Sequence, residues 1–122
     1  MQKRFILSGA ILAMLGVMIG AFGAHALKPM LEANGRVDTF ETAVKYHFYH
    51  ALGLLLLGLL SHLRPSKWLN YAGNCLLAGV IIFSGSLYLL CLSGITFLGA
   101  ITPIGGVCMI AGWLLVVIST TK

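Results

Sequence analysis

Four long apolar runs, separated by short polar stretches, decide what this chain can fold into. They cover residues of about 5–26, 43–62, 68–92 and 96–120. As helix, each is long enough to cross a hydrocarbon core of about 30 Å. Only 9% of the 122 residues are charged, against roughly a quarter in a water-soluble domain. Too little polar surface remains to cover a soluble globule. The expected fold is all-α: one polytopic membrane domain over residues 1–122, built as a four-transmembrane-helix up-down bundle. The connections are short or moderate, so sequential helices should be antiparallel neighbours, and no repeat or low-complexity tract interrupts the pattern.

The charges set an orientation rather than a partner. The net charge is +5, but the eight Lys and Arg are scattered along helix ends and loops. There is no basic face interleaved with aromatic rings, which argues against nucleic acid. Lys3, Arg4, Arg64, Lys67 and Lys122 fall on one side of the expected bundle, and Lys28 and Arg36 on the other. Five against two places both termini in the cytoplasm, with Lys45, at the outward end of the second span, weighing slightly against. Lys3 and Arg4 before an apolar run, and Ala24-His25-Ala26 at its end, imitate a secretory signal with its cleavage site. The segment is expected to stay as the first span.

Small residues mark where helices approach one another. Gly16, Gly20 and Ala24 recur at intervals of four and make a smooth stripe on the first span. Gly105, Gly106 and Gly112 are the expected packing residues of the last span. Such stripes let backbones come close, first within the chain and alternatively in a homo-oligomer. Cys75, Cys91 and Cys108 lie in apolar runs without metal spacing and read as packing residues.

The one long polar connection, residues 27–40, reads as a short helix opened by Pro29 and closed by Gly35. Asp38-Thr39-Phe40-Glu41 then resembles a capping box, with Asp38 as the cap. Glu41 is also four residues before Lys45, a favourable helical pair.

Up-and-down topology brings polar residues from all four spans to one depth. His25 closes the first span. Tyr46, His47 and His50 open the second. Ser84, Ser86 and Tyr88 end the third, and Thr102 and Pro103 open the fourth. At 1.5 Å per residue most lie within about 5–13 Å of the outer helix ends. Pro103 lacks a backbone donor and disturbs the carbonyl at Gly99, a break that survives in a membrane only where protein or water satisfies the freed group. Polar residues at this depth face the bundle and pair. They either lock the helices together or form a small-ligand, proton or ion site open to the outside.

Sharper chemistry finds weak support. His47 and His50 are three apart and with His25 would give three imidazoles, but no carboxylate or thiolate stands beside them at a convincing spacing. No metal and no cofactor are expected. Ser84 or Ser86 with His50 and Glu41 is a nominal hydrolase triad, but Ser84-Gly85-Ser86 is no nucleophile elbow. The chain is not expected to be an enzyme.

Several motifs occur here in a recognisable order. They are Gly20-Ala21-Phe22-Gly23-Ala24-His25, Tyr46 with His50, Phe83-Ser84-Gly85-Ser86-Leu87-Tyr88, Ile101-Thr102-Pro103-Ile104-Gly105-Gly106 and Ala111-Gly112-Trp113. Together they span most of the chain, and it resembles the YgdD-like family of small bacterial inner-membrane proteins, a domain of unknown function. The resemblance implies a four-span inner-membrane protein and no established activity. It also implies that Tyr46 and His50 recur among relatives while the position of His47 is often glutamine, which counts against His47 as a required ligand. The candidate set is therefore His25, Tyr46, His50, Ser84, Ser86, Thr102 and Pro103. The expected role is a structural or accessory subunit in the lipid bilayer, as a homo-oligomer or within a larger membrane complex. The alternative is a small transporter or ligand- or ion-binding protein working through the polar layer.

Overall fold

In a computed structural model the chain is described over residues 2–122 and is built from five helices, α1 (Gln2–His25), α2 (Lys28–Asn34), α3 (Val37–Leu63), α4 (Lys67–Ser93) and α5 (Leu98–Thr121). All but α2 are long and apolar enough to cross a membrane. Helix α1 packs along α3, α3 along α4 and α4 along α5. Four crossings in alternating directions return the chain to its starting side, so both termini share one end of the bundle, the terminal end. The α2 segment and the α4–α5 turn lie at the other, the loop end. Helices α3 and α4 form the buried centre, while α1 and α5 flank it and expose more of their surface.

The ends of the helices follow from local chemistry. Pro29 sits in the first turn of α2, and Gly35 closes that helix in the left-handed conformation, at φ 67°, where a side chain would be strained. Ser66 accepts from the Trp68 amide to cap α4, and Gly94 ends it at φ 74°. Helix α3 departs from expectation. It begins at Val37 with Arg36 as cap residue and no side-chain cap bond, so Asp38 lies inside the first turn and the capping box does not form. Arg36 accepts from Phe40 through its own carbonyl, which starts the helix six residues before the apolar run.

Glycines set both close helix seams. A Cβ on Gly9 would lie 2.8 Å from the Ala51 carbonyl oxygen, and one on Gly16 3.0 Å from the Phe48 ring. Phe40 fills the space above Gly23. On the other side of the bundle, Gly79 and Gly105 bring α4 and α5 into backbone contact, and Gly112 receives Leu76. The stripes read from the sequence are thus used between helices of one chain. Two members fall outside them: Ala24 is exposed, and Gly106 meets Phe83 only at 3.9 Å.

Two apolar clusters hold the bundle at its ends. Phe5, Leu54, Leu57, Leu69, Ala72 and Leu76 pack near the terminal end, with the Phe5 ring over Gly73. Leu31, Phe40 and Cys91 pack at the loop end. Arg4 donates to Asn74 Oδ1 at 2.7 Å and to Asn70 Oδ1 at 3.2 Å, which ties the start of α1 to α4. Arg64 donates to the Ser119 carbonyl and satisfies one of the orphan acceptors in the last turn of α5.

Candidate functional site

Between the two apolar clusters lies a layer of polar side chains, and its centre is His47. The residue is 4% exposed. Its Nε2 is 2.7 Å from the Leu12 carbonyl oxygen and its Nδ1 is 2.7 Å from the Tyr88 hydroxyl. A carbonyl only accepts, so Nε2 carries the hydrogen, and in the neutral ring Nδ1 accepts from Tyr88. One side chain on α3 thereby holds α1 on one side and α4 on the other. Gly16, one turn after Leu12, leaves the approach open: a Cβ there would already stand 3.6 Å from His47 Nε2.

His50 does the same work toward α5. Its Nδ1 is 2.7 Å from the Tyr46 carbonyl oxygen one turn back, so Nδ1 carries the hydrogen. Nε2 then accepts from the Trp113 indole N–H at 3.1 Å. The Trp113 ring lies over Gly53, where a Cβ would come within 2.9 Å of it. Gly53 is three residues after His50, so the notch and the acceptor share one face of α3. The two imidazoles hold opposite tautomers because each is fixed by a different carbonyl.

The hydroxyls complete the layer. Ser84 donates to the Ala43 carbonyl at 2.7 Å and links α4 to α3. Ser86 and Thr102 are 2.6 Å apart across the α4–α5 seam. Ser86 also reaches the Phe83 carbonyl at 2.9 Å and Thr102 the Leu98 carbonyl at 3.2 Å. Each hydroxyl has one hydrogen, so the pair has two arrangements: Ser86 donates to Thr102 and Thr102 to Leu98, or the chain runs in reverse to Phe83.

Of the seven candidate positions, His50, Ser84, Ser86 and Thr102 are buried in this layer. Three are placed differently. His25 is exposed at the end of α1. Pro103 also points outward, because it follows Thr102 and one residue turns a helix by about 100°. Tyr46 contributes its backbone carbonyl, while its ring is 39% exposed and packs edge-on against Phe83. Because α3 starts at Val37, His50 falls at its midpoint, about 20 Å from the helix start. His47, Tyr88 and Trp113 stood outside the expected set; His47 joins α3 to α1 and, with Tyr88, to α4, and Trp113 joins α5 to α3 through His50.

Ring nitrogens committed in this way do not converge on a metal. His47 points to α1 and α4 and His50 to α5, and His25 is remote on the surface. Among the described residues no three His, Cys, Asp or Glu side chains gather at one point.

Comparison with known proteins adds kinship without an activity. Residues 19–106 match the family described as "Protein of unknown function (DUF423)". The chain is 50% identical over 121 residues to a UPF0382 membrane protein of Staphylococcus haemolyticus, a match covering 99% of this chain and 98% of that one. It is 44% identical over 122 residues to the UPF0382 membrane protein YwdK of Bacillus subtilis, with 99% and 98% covered. No solved structure matches the chain. The ordered motifs pointed to a membrane-protein family of unknown function, and these matches carry that under the names DUF423 and UPF0382 rather than YgdD-like.

Proposed function

The chain belongs to the DUF423 family of membrane proteins of unknown function, and from its own geometry we propose that it is a non-catalytic accessory subunit of a bacterial plasma-membrane assembly. One observation carries this reading: all four ring nitrogens of His47 and His50 are engaged by partners within the chain. A general base, a proton carrier or an ion ligand needs a nitrogen free to meet its substrate. Here the polar layer fastens α3 to the other three spans. Gly16, Gly105 and Gly112 are also occupied inside the bundle, so a partner subunit would meet the outer faces. On α5 that face is Ile104, Val107, Ile110, Leu114 and Val117, all exposed.

Native mass spectrometry of the protein released gently from its own membrane tests the reading. The expected spectrum shows this chain in a complex with further chains, of its own or another kind, without a bound ion or polar solute. A lone chain carrying a stoichiometric ion or solute would sink the proposal and move the weight to transport or binding.

The orientation is part of the same proposal. Lys3, Arg4, Arg64, Lys67 and Lys122 at the terminal end favour that end in the cytoplasm. In a bacterium with two membranes this is the inner one. A single cysteine introduced beside Arg36, in a background lacking Cys75, Cys91 and Cys108, should then react with a membrane-impermeant maleimide added to intact spheroplasts. Reaction only after lysis would invert the topology.

A further inference from the structure

The loop end of the bundle contains a feature that the polar layer does not use. Helix α3 has 27 residues, which is about 40 Å of helix against a hydrocarbon core of about 30 Å. Its polar positions show where the excess lies, for Asp38, Glu41 and Lys45 all fall in its first two and a half turns. These turns therefore stand at headgroup level. There, between the end of α1, α2 and the start of α3, is a cleft of about 380 Å³, a size that suits a small ligand.

The lining of the cleft divides by chemistry. Its floor is apolar, formed by Gly23, Leu31, Val37, Phe40 and Val44 among others. Its charged members are Lys28, Glu41 and Lys45, and all three are exposed. Among the described residues none of the three is held in an ion pair, so their charge is available to a ligand. Two ammonium groups and one carboxylate over an apolar floor, at the depth of lipid phosphates, complement a zwitterionic phospholipid headgroup. A soluble anion would leave the floor wet. A lipid covers it with its glycerol and first methylenes.

We propose that this cleft is a binding site for one phospholipid of the loop-end leaflet, with its phosphate on Lys28 and Lys45 and the ammonium of an ethanolamine headgroup on Glu41. The site selects by its carboxylate. An ethanolamine ammonium donates hydrogen bonds to Glu41, a choline head has no N–H to donate, and a glycerol head brings no positive charge. This inference does not rest on the accessory reading, since it concerns the isolated chain.

The test is native mass spectrometry of the purified full-length chain in detergent, doped with equal amounts of phosphatidylethanolamine, phosphatidylglycerol and phosphatidylcholine. One phosphatidylethanolamine per chain is expected in preference to the other two. Lys28→Gln with Lys45→Gln should cut its retention by about tenfold. Glu41→Gln should leave binding in place but erase the preference over phosphatidylcholine. The substituted side chains are exposed, and circular dichroism of the variants checks that the bundle is intact. Adducts that ignore headgroup and variant alike would mean unspecific annular lipid and overturn the proposal. A preference for phosphatidylglycerol would overturn the assignment to Glu41. Equal competition by soluble glycerophosphoethanolamine would overturn the lipid as occupant in favour of a soluble phosphate ester.

Discussion

Gly105→Leu is expected to detach α5 from α4 and leave a bundle that no longer folds as a unit. A Cβ at this position would stand 2.5 Å from the Phe83 backbone nitrogen and 2.8 Å from the Gly79 carbonyl oxygen. These are backbone atoms of a helix and cannot swing aside as a side-chain tip can. Even Gly105→Ala should cost about 3 kcal/mol, at the upper end of ordinary overpacking, and leucine more. The damage spreads, because separating the helices also parts Ser86 from Thr102 (2.6 Å apart) and moves Met109 away from Gly79. Gly106→Leu is the control one residue along, where the nearest neighbour, the Phe83 ring, is 3.9 Å away. Unfolding by SDS in mixed micelles, followed by circular dichroism, should show a large loss for Gly105→Leu and less than about 1 kcal/mol for Gly106→Leu. Equal losses would mean that the seam is looser than the geometry requires.

The contrast between Gly105 and Gly106 shows where reading the sequence stops. Both glycines were legible as packing residues, because small residues in an apolar run have few other uses. Which one faces α4 depends on the rotation of α5, and a run that is apolar on all sides carries no periodicity to fix it. The same holds for Thr102 and Pro103, one turned inward and the other to the surface. The four spans were plain from length and hydropathy, which do not depend on rotation. The start of α3 was legible only to within two residues: Asp38 reads as the cap, whereas the helix is capped at Arg36, and a backbone cap leaves no mark on the sequence. Gly53 and Trp113 were hidden for another reason: a notch and the ring that fills it are 60 residues apart, and nothing local connects them.

The resemblance counts against His47 as a ligand because it implies glutamine at that position, and the geometry turns that ground around. A glutamine amide has an N–H₂ to donate and a carbonyl to accept. It can therefore meet the Leu12 carbonyl and the Tyr88 hydroxyl as the imidazole does. A metal ligand or a proton carrier would not survive this exchange, but a hydrogen-bonding strut would. His47→Gln is accordingly expected to stay within about 0.5 kcal/mol of the parent. His47→Leu should lose about 2 kcal/mol, because it removes two bonds and leaves the Tyr88 hydroxyl without its acceptor. Tyr88→Phe should lose about 1 kcal/mol in the parent and much less in the His47→Leu background, since the acceptor is then already gone. The five unfolding curves, the parent's included and again in mixed micelles, decide the matter through their coupling. If glutamine falls as far as leucine, or if the Tyr88 loss is the same in both backgrounds, His47 does not hold α1 and α4 together through these bonds. If the coupling is found and His47→Gln still supports assembly in the membrane, the most buried imidazole of the chain is a structural part, as an accessory subunit without chemistry of its own requires.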